Sequence, residues 1–166
     1  MEAIIVNRPA LRLVGLAVQV TLQEVLQDRT TFKLGSAFMS RKGEIMSIAE
    51  GNTVYGLSTD PEGYDPDTDP FEYFIGMEVT STRTIPDGMV VREIPANTYA
   101  VFTFQGHEDN AGEVHHYLYS TWLKEQPYEL CGLYNVEVYD ERNKGPESEE
   151  SITDIWFPVR RKPALA

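Results

Sequence analysis

Glu137 lies in the stretch YNVEVYDERN (134–143), in step with Asn135 and Tyr139 and out of step with Val136 and Val138. Successive strand side chains point to opposite faces, so this run puts an acid and a phenol on one face and valines on the other. Two chemistries suit that pairing. The carboxylate can neutralise a bound cation, with aromatic faces adding roughly 0.5–2 kcal/mol per contact. It can also act as general base on a water, while Tyr139 or Tyr55 donates to the leaving atom. The plain alternative is a solvated acid, or one paired with Arg142 or Lys144 a few residues on.

Aromatic residues are plentiful on the runs with strand periodicity: Tyr55, Tyr73, Phe74, Phe102, Phe104, Tyr134, Tyr139 and Trp156. About half belong in the core, because aromatics favour strands whatever the ligand. Those proposed to line a site with Glu137 are Tyr139, Tyr55, Tyr73, Phe102, Phe104 and Trp156. No metal is expected. Asp65, Asp67 and Asp69 have the first spacings of a calcium loop, but Pro70 replaces its glycine and Gly76 its bidentate acid. His107, His115 and His116 lack ligand spacing, and an adjacent pair on a helix points about 100° apart. No cofactor motif is present either.

The elements that would carry these residues repeat. LRLVGLAVQV (11–20) reads as a strand, and Thr30 or Thr31 caps a helix in which Leu34, Ala37 and Phe38 share a face, weakened by Gly35. NTVYGLS (52–58) and FEYFIGMEV (71–79) form a hairpin around an acidic loop. NTYAVFTFQG (97–106) is again a strand, Gly106 marks a turn, and 110–126 is a helix with Asn110 and Glu113 as a capping-box variant and Pro127 as its stop. LYNVEVYDE (133–141) and SITDIWFPVRR (151–161) close a second hairpin around another acidic loop. Both halves read β-α-β-β, about 11–80 and 97–161, within one domain spanning 1–166. The expected fold is α+β, with pseudo-twofold symmetry, both helices covering one face of the sheet, and the open face between the halves becoming a groove.

Composition limits the partners. The 42% hydrophobic content can build a core, and 26 acids against 14 bases give a net charge of -12. Such a surface repels phosphate backbones and anionic lipid, so direct nucleic-acid or membrane binding is not expected. It leaves open an acidic module that inhibits a basic protein partner. The single Cys131 suits a reducing compartment, no leader is legible in MEAIIVNRPALRLVGLAV, and no apolar run approaches the roughly 20 residues of a bilayer span. The cytoplasm is the expected location.

REIPANTYAVFTFQG, LYSTWLKEQPYE, YNVEVYDER and ESITDIWFPV resemble, in order and spacing, the GyrI-like effector-binding domain found in AraC- and MerR-type transcription regulators and in stand-alone proteins. The resemblance covers most of 1–162 and is strongest from 92 onward. It implies a duplicated β-α-β-β fold whose central cleft binds hydrophobic, often cationic, small molecules through aromatics and a buried glutamate, here Glu137. Stand-alone relatives include drug-sequestering proteins and hydrolases of strained, cyclopropane-containing electrophiles, so a cofactor-free hydrolase using Glu137 and Tyr139 is the alternative. No basic recognition helix is legible, and no DNA-binding domain is expected.

Overall fold

The computed structural model describes residues 1–164. Nine strands form one antiparallel system. They are β1 (Ala3–Arg8), β2 (Leu11–Thr21), β3 (Val54–Thr59), β4 (Pro70–Glu78), β5 (Val90–Ile94), β6 (Asn97–Gln105), β7 (Tyr128–Leu130), β8 (Tyr134–Tyr139) and β9 (Ile152–Arg161). Their spatial order is β1-β6-β9-β8-β3-β4-β2-β5, with β7 added alongside β9. Each expected hairpin is present, β3 with β4 and β8 with β9. The halves meet where β3 pairs with β8. Read outward from that seam, the three strands of each half follow the same sequence, which is the order a duplication requires. The outer strands β1 and β5 were not legible in the sequence.

The sheet curls into a half-barrel. Its helix-free face gathers Leu13, Phe74 and Ile94 of one half with Tyr99, Val101 and Trp156 of the other into a single core. That packing corrects the expected groove: the face without helices is filled by its own side chains.

On the opposite face lie α1 (Leu22–Asp28) and α2 (Thr30–Arg41). Thr21 caps α1, its hydroxyl accepting the Glu24 N–H at 3.2 Å while the Glu24 carboxylate accepts the Thr21 N–H at 3.0 Å. Helix α1 was not anticipated. Arg29 ends it in the left-handed region, at φ 52°, and α2 starts directly beyond without the expected threonine cap. Phe38 of α2 is fully buried against Val14, Val20 and Ile75, a contact whose truncation to alanine costs roughly 3–5 kcal/mol.

The second helical segment is a composite. A 3-10 turn (Glu108–Asn110) precedes α3 (Ala111–Tyr117), a π turn spans Leu118–Trp122, and α4 (Leu123–Glu125) completes it. The wider π turn brings Leu118 and Trp122 onto the face of Val114, over Phe102, Ile155 and Phe157. Asn110 is not the expected cap. Its backbone is already helical and its side chain donates to the Gln105 carbonyl, while His107 Nδ1 accepts the Asp109 N–H at 3.1 Å. Gly106 does make a turn, at φ 114°.

Candidate functional site

Strand register places the site. One row of paired residues crosses the sheet as Phe102, Ile155, Glu137, Gly56, Ile75 and Leu16. Paired residues share a face. The α3 segment covers the Phe102 end and α2 packs near the Ile75 end. Between them, at Glu137 and Gly56, a cleft of about 800 Å³ opens on the helix-bearing face.

Tyr73, Tyr139 and Glu137 line its floor. Phe32, Gly35 and Met39 of α2 form one wall, and Phe104, Thr153 and the segment from Asp140 to Ser151 form the other. The 140–151 segment is closed on itself by Ser151, whose Oγ donates to the Gly145 carbonyl and accepts the Lys144 N–H, each at 2.7 Å. Arg142 ties it down, reaching Asp140 at 2.8 Å and Asp154 at 2.7 Å. Arg142 is thereby committed elsewhere and does not pair with Glu137. Lys144 lines the cleft, and among the described residues no cation reaches Glu137 within ion-pair distance.

The Tyr139 hydroxyl donates to Glu137 Oε2, and the Tyr73 hydroxyl sits beside Tyr139 over Gly56. Burial pushes the Glu137 carboxyl above the ordinary carboxylate range; the Tyr139 hydrogen bond opposes that rise and the nearby charge of Glu108 adds to it. Both phenols are pushed up, first by burial and then by the charge of Glu137, so they keep their protons. Arg29 lies across the cleft mouth, 3.3 Å from Glu147 and 3.8 Å from Glu108, with its guanidinium 4.2 Å over the Phe32 ring.

Of the residues singled out from sequence, Glu137, Tyr139, Tyr73 and Phe104 meet in this cleft. Phe102 shares their face but is sealed beneath the α3 segment against Trp122 and Phe157. Tyr55 and Trp156 are on the other face, in edge contact at 6.0 Å with Arg8 over the indole, because they pair with Val138 and Val136 rather than with Glu137. Sequence reasoning missed Gly56, Phe32 and the 143–148 segment. For Gly56 a signal existed, since a glycine inside a strand marks close approach of another group. Among the described residues no cluster of metal-ligating side chains occurs, and no helix is long and apolar enough to cross a membrane. Asp65 and Asp69 instead accept N–H groups within their own loop, from Asp67 and Asp65.

The half-barrel with its interhelical cleft defines a small-molecule-binding fold. The chain belongs to the GyrI-like small molecule binding domain family, whose model matches residues 1–160. The transcriptional regulator BrlR of Pseudomonas aeruginosa is 32% identical over 160 residues, which make up 96% of this chain and 56% of BrlR. The chain thus spans little more than half the length of that regulator. SAV2435, in a structure bound to tetraphenylphosphonium, superposes with a TM-score of 0.70 at 20% identity, covering 96% of this chain and 94% of SAV2435. The C-terminal domain of EcmrR superposes at 0.69 with 16% identity, covering 97% and 98%. These two likenesses establish the fold.

Proposed function

We propose that the cleft binds a lipophilic organic cation, with Glu137 as its counter-charge and Tyr73, Tyr139, Phe104 and Phe32 as its apolar walls. One observation carries this reading: an acid half-buried among aromatic rings and held by a phenol, with no cation within ion-pair distance among the described residues. An ionised carboxylate in that position is unfavourable until a cation replaces the lost hydration. The tetraphenylphosphonium of the SAV2435 structure has the matching chemistry, a single charge spread beneath aromatic surface. The role follows as a ligand-sensing or sequestering unit related to regulator effector domains.

The test is calorimetric titration with tetraphenylphosphonium and with tetraphenylborate, its anion of nearly the same shape. Saturable binding of the cation and exclusion of the anion support the reading. Equal binding of both would reduce the cleft to a hydrophobic hole.

A second reading uses the same pair. A carboxyl whose midpoint is raised toward neutrality, beside a phenol donor, can take a proton from water, as the hydrolase alternative requires. Turnover of a cyclopropane-containing electrophile that disappears in Glu137→Gln would favour it.

A further inference from the structure

We propose that Gly56 is the positioning residue of the cleft: the side chain absent opposite Glu137 is what lets Tyr73 and Tyr139 close over the strand and hold the acid in its cation-ready arrangement. This deepens the cation reading and rests on it for the ligand.

Gly56 is the register partner of Glu137 across the seam. The two tyrosines flank that row from opposite sides. Tyr139 pairs with Val54, two residues before Gly56, and Tyr73 pairs with Ser58, two residues after it. Their hydroxyls therefore converge over Gly56 from either end. A β carbon built on Gly56 lies 2.9 Å from the Tyr73 hydroxyl oxygen, 3.3 Å from Tyr139 Cε2 and 3.4 Å from the Tyr139 hydroxyl oxygen. All three are tips of phenol rings. A methyl group here displaces the phenols and leaves the sheet alone. Tyr73 is buried in the core under α2, while Tyr139 is only partly buried against it, so the displacement is passed to Tyr139, which donates to Glu137.

A purely structural glycine predicts something else. Glycine inside a strand weakens it, through backbone entropy and missing packing, so alanine would improve β3 and leave the acid untouched. The two accounts separate at Glu137.

The experiment uses the full chain as wild type, Gly56→Ala, Tyr73→Phe and the double variant. Titration of the 13C-labelled glutamate carboxyls, with Glu137 assigned from its absence in Glu137→Gln, is followed in each, alongside tetraphenylphosphonium and tetraphenylborate binding. In Gly56→Ala the Glu137 midpoint rises, because the hydrogen bond that lowers it is lost. Tetraphenylphosphonium affinity falls roughly tenfold, the worth of one charge-assisted hydrogen bond, and exclusion of the anion is unchanged. Removing the Tyr73 hydroxyl makes room for the methyl, so the double variant returns the midpoint and the affinity to those of Tyr73→Phe alone. An unchanged midpoint in Gly56→Ala overturns the proposal. So does a double variant that folds and stays displaced, which also decides the matter if Gly56→Ala alone fails to fold. If wild type takes up no tetraphenylphosphonium, the ligand reading falls by itself, and the carboxyl titration still judges Gly56.

Discussion

The Tyr139 hydroxyl donates to Glu137 two residues earlier on the same strand, so the half-buried acid of the cleft is held by a neighbour on β8 and not by an opposite charge. A hydrogen bond from a phenol keeps the carboxylate oriented without neutralising it. On the proposed reading, the site keeps its electrostatic demand for an incoming cation.

Replacing Glu137 by glutamine keeps the shape and removes the charge. Tetraphenylphosphonium affinity should fall about 10- to 150-fold, equivalent to roughly 1.5–3 kcal/mol for interactions of a charged group. Thermal stability of the empty protein should hold or rise, since an unpaired buried carboxylate is a liability. Titrations and melts on the two proteins check both; an unchanged affinity would return Glu137 to a bystander.

The pH dependence has a definite sign. The folded-state midpoint of Glu137 lies above the ordinary 4.5, so between the two values the folded protein holds a proton that the unfolded chain releases. Its contribution to stability is therefore complete below the ordinary value and is lost as pH rises through the raised midpoint. Cation affinity moves the other way and grows over the same window. Glu108, which also lines the cleft, is raised by burial too, so the diagnostic quantity is the difference between wild type and Glu137→Gln across pH. A difference that stays flat through acid pH would refute the assignment.

Gly35 lies within α2 where the helix faces the cleft, and a β carbon there would meet only Ile75 Cδ1, at 3.6 Å. Gly35→Ala should stabilise the fold by roughly 0.5–1 kcal/mol through helix propensity. Gly35→Leu should project into the cavity and weaken tetraphenylphosphonium about tenfold or more, at overlap costs of roughly 1–3 kcal/mol. The much smaller tetramethylammonium should be spared. Equal losses for both cations would place Gly35 outside the binding volume.

Arg29 neutralises part of the cleft mouth from a left-handed backbone position that asparagine tolerates. Its ion pairs are exposed and contribute about 0–1 kcal/mol at most. Arg29→Asn should leave the melting temperature nearly unchanged, bare the Phe32 ring and speed cation entry, most at low salt. Stopped-flow association rates at two ionic strengths measure this, and a slower on-rate would contradict it.

Strand alternation was enough to assign Val136 and Val138 to the core and Glu137 to the opposite face, and hairpin signals were enough to pair β3 with β4 and β8 with β9. Alternation within one strand says nothing about its register against another. That is why Tyr55 and Trp156 were grouped with Glu137, although the β3–β8 and β8–β9 pairings turn them to the other face. Phe102 was misplaced for a different reason, since its face was right and only the docking of the α3 segment decides that it is sealed. β1 and β5 were missed because their burial comes from strands nearly a hundred and about eighty positions away, β6 and β2. The α1 cap at Thr21 and Glu24 was legible in principle, but it lies directly against the end of β2, where a continuing strand and a new helix read alike.

Glu137 and Gly56 stand on opposite sides of the seam where the halves join. A molecule bound as proposed, touching Tyr73 on one side and Glu137 on the other, can stay bound only while the β3–β8 ladder is closed. Each bound molecule therefore adds its free energy to the closed ladder and none to the open one, so openings of this strand pair become rarer as ligand concentration exceeds the dissociation constant. Occupancy is thereby written into the stiffness of a single ladder. Slowed amide exchange along Val54–Thr59 and Tyr134–Tyr139 would be its trace, with no domain having to swing.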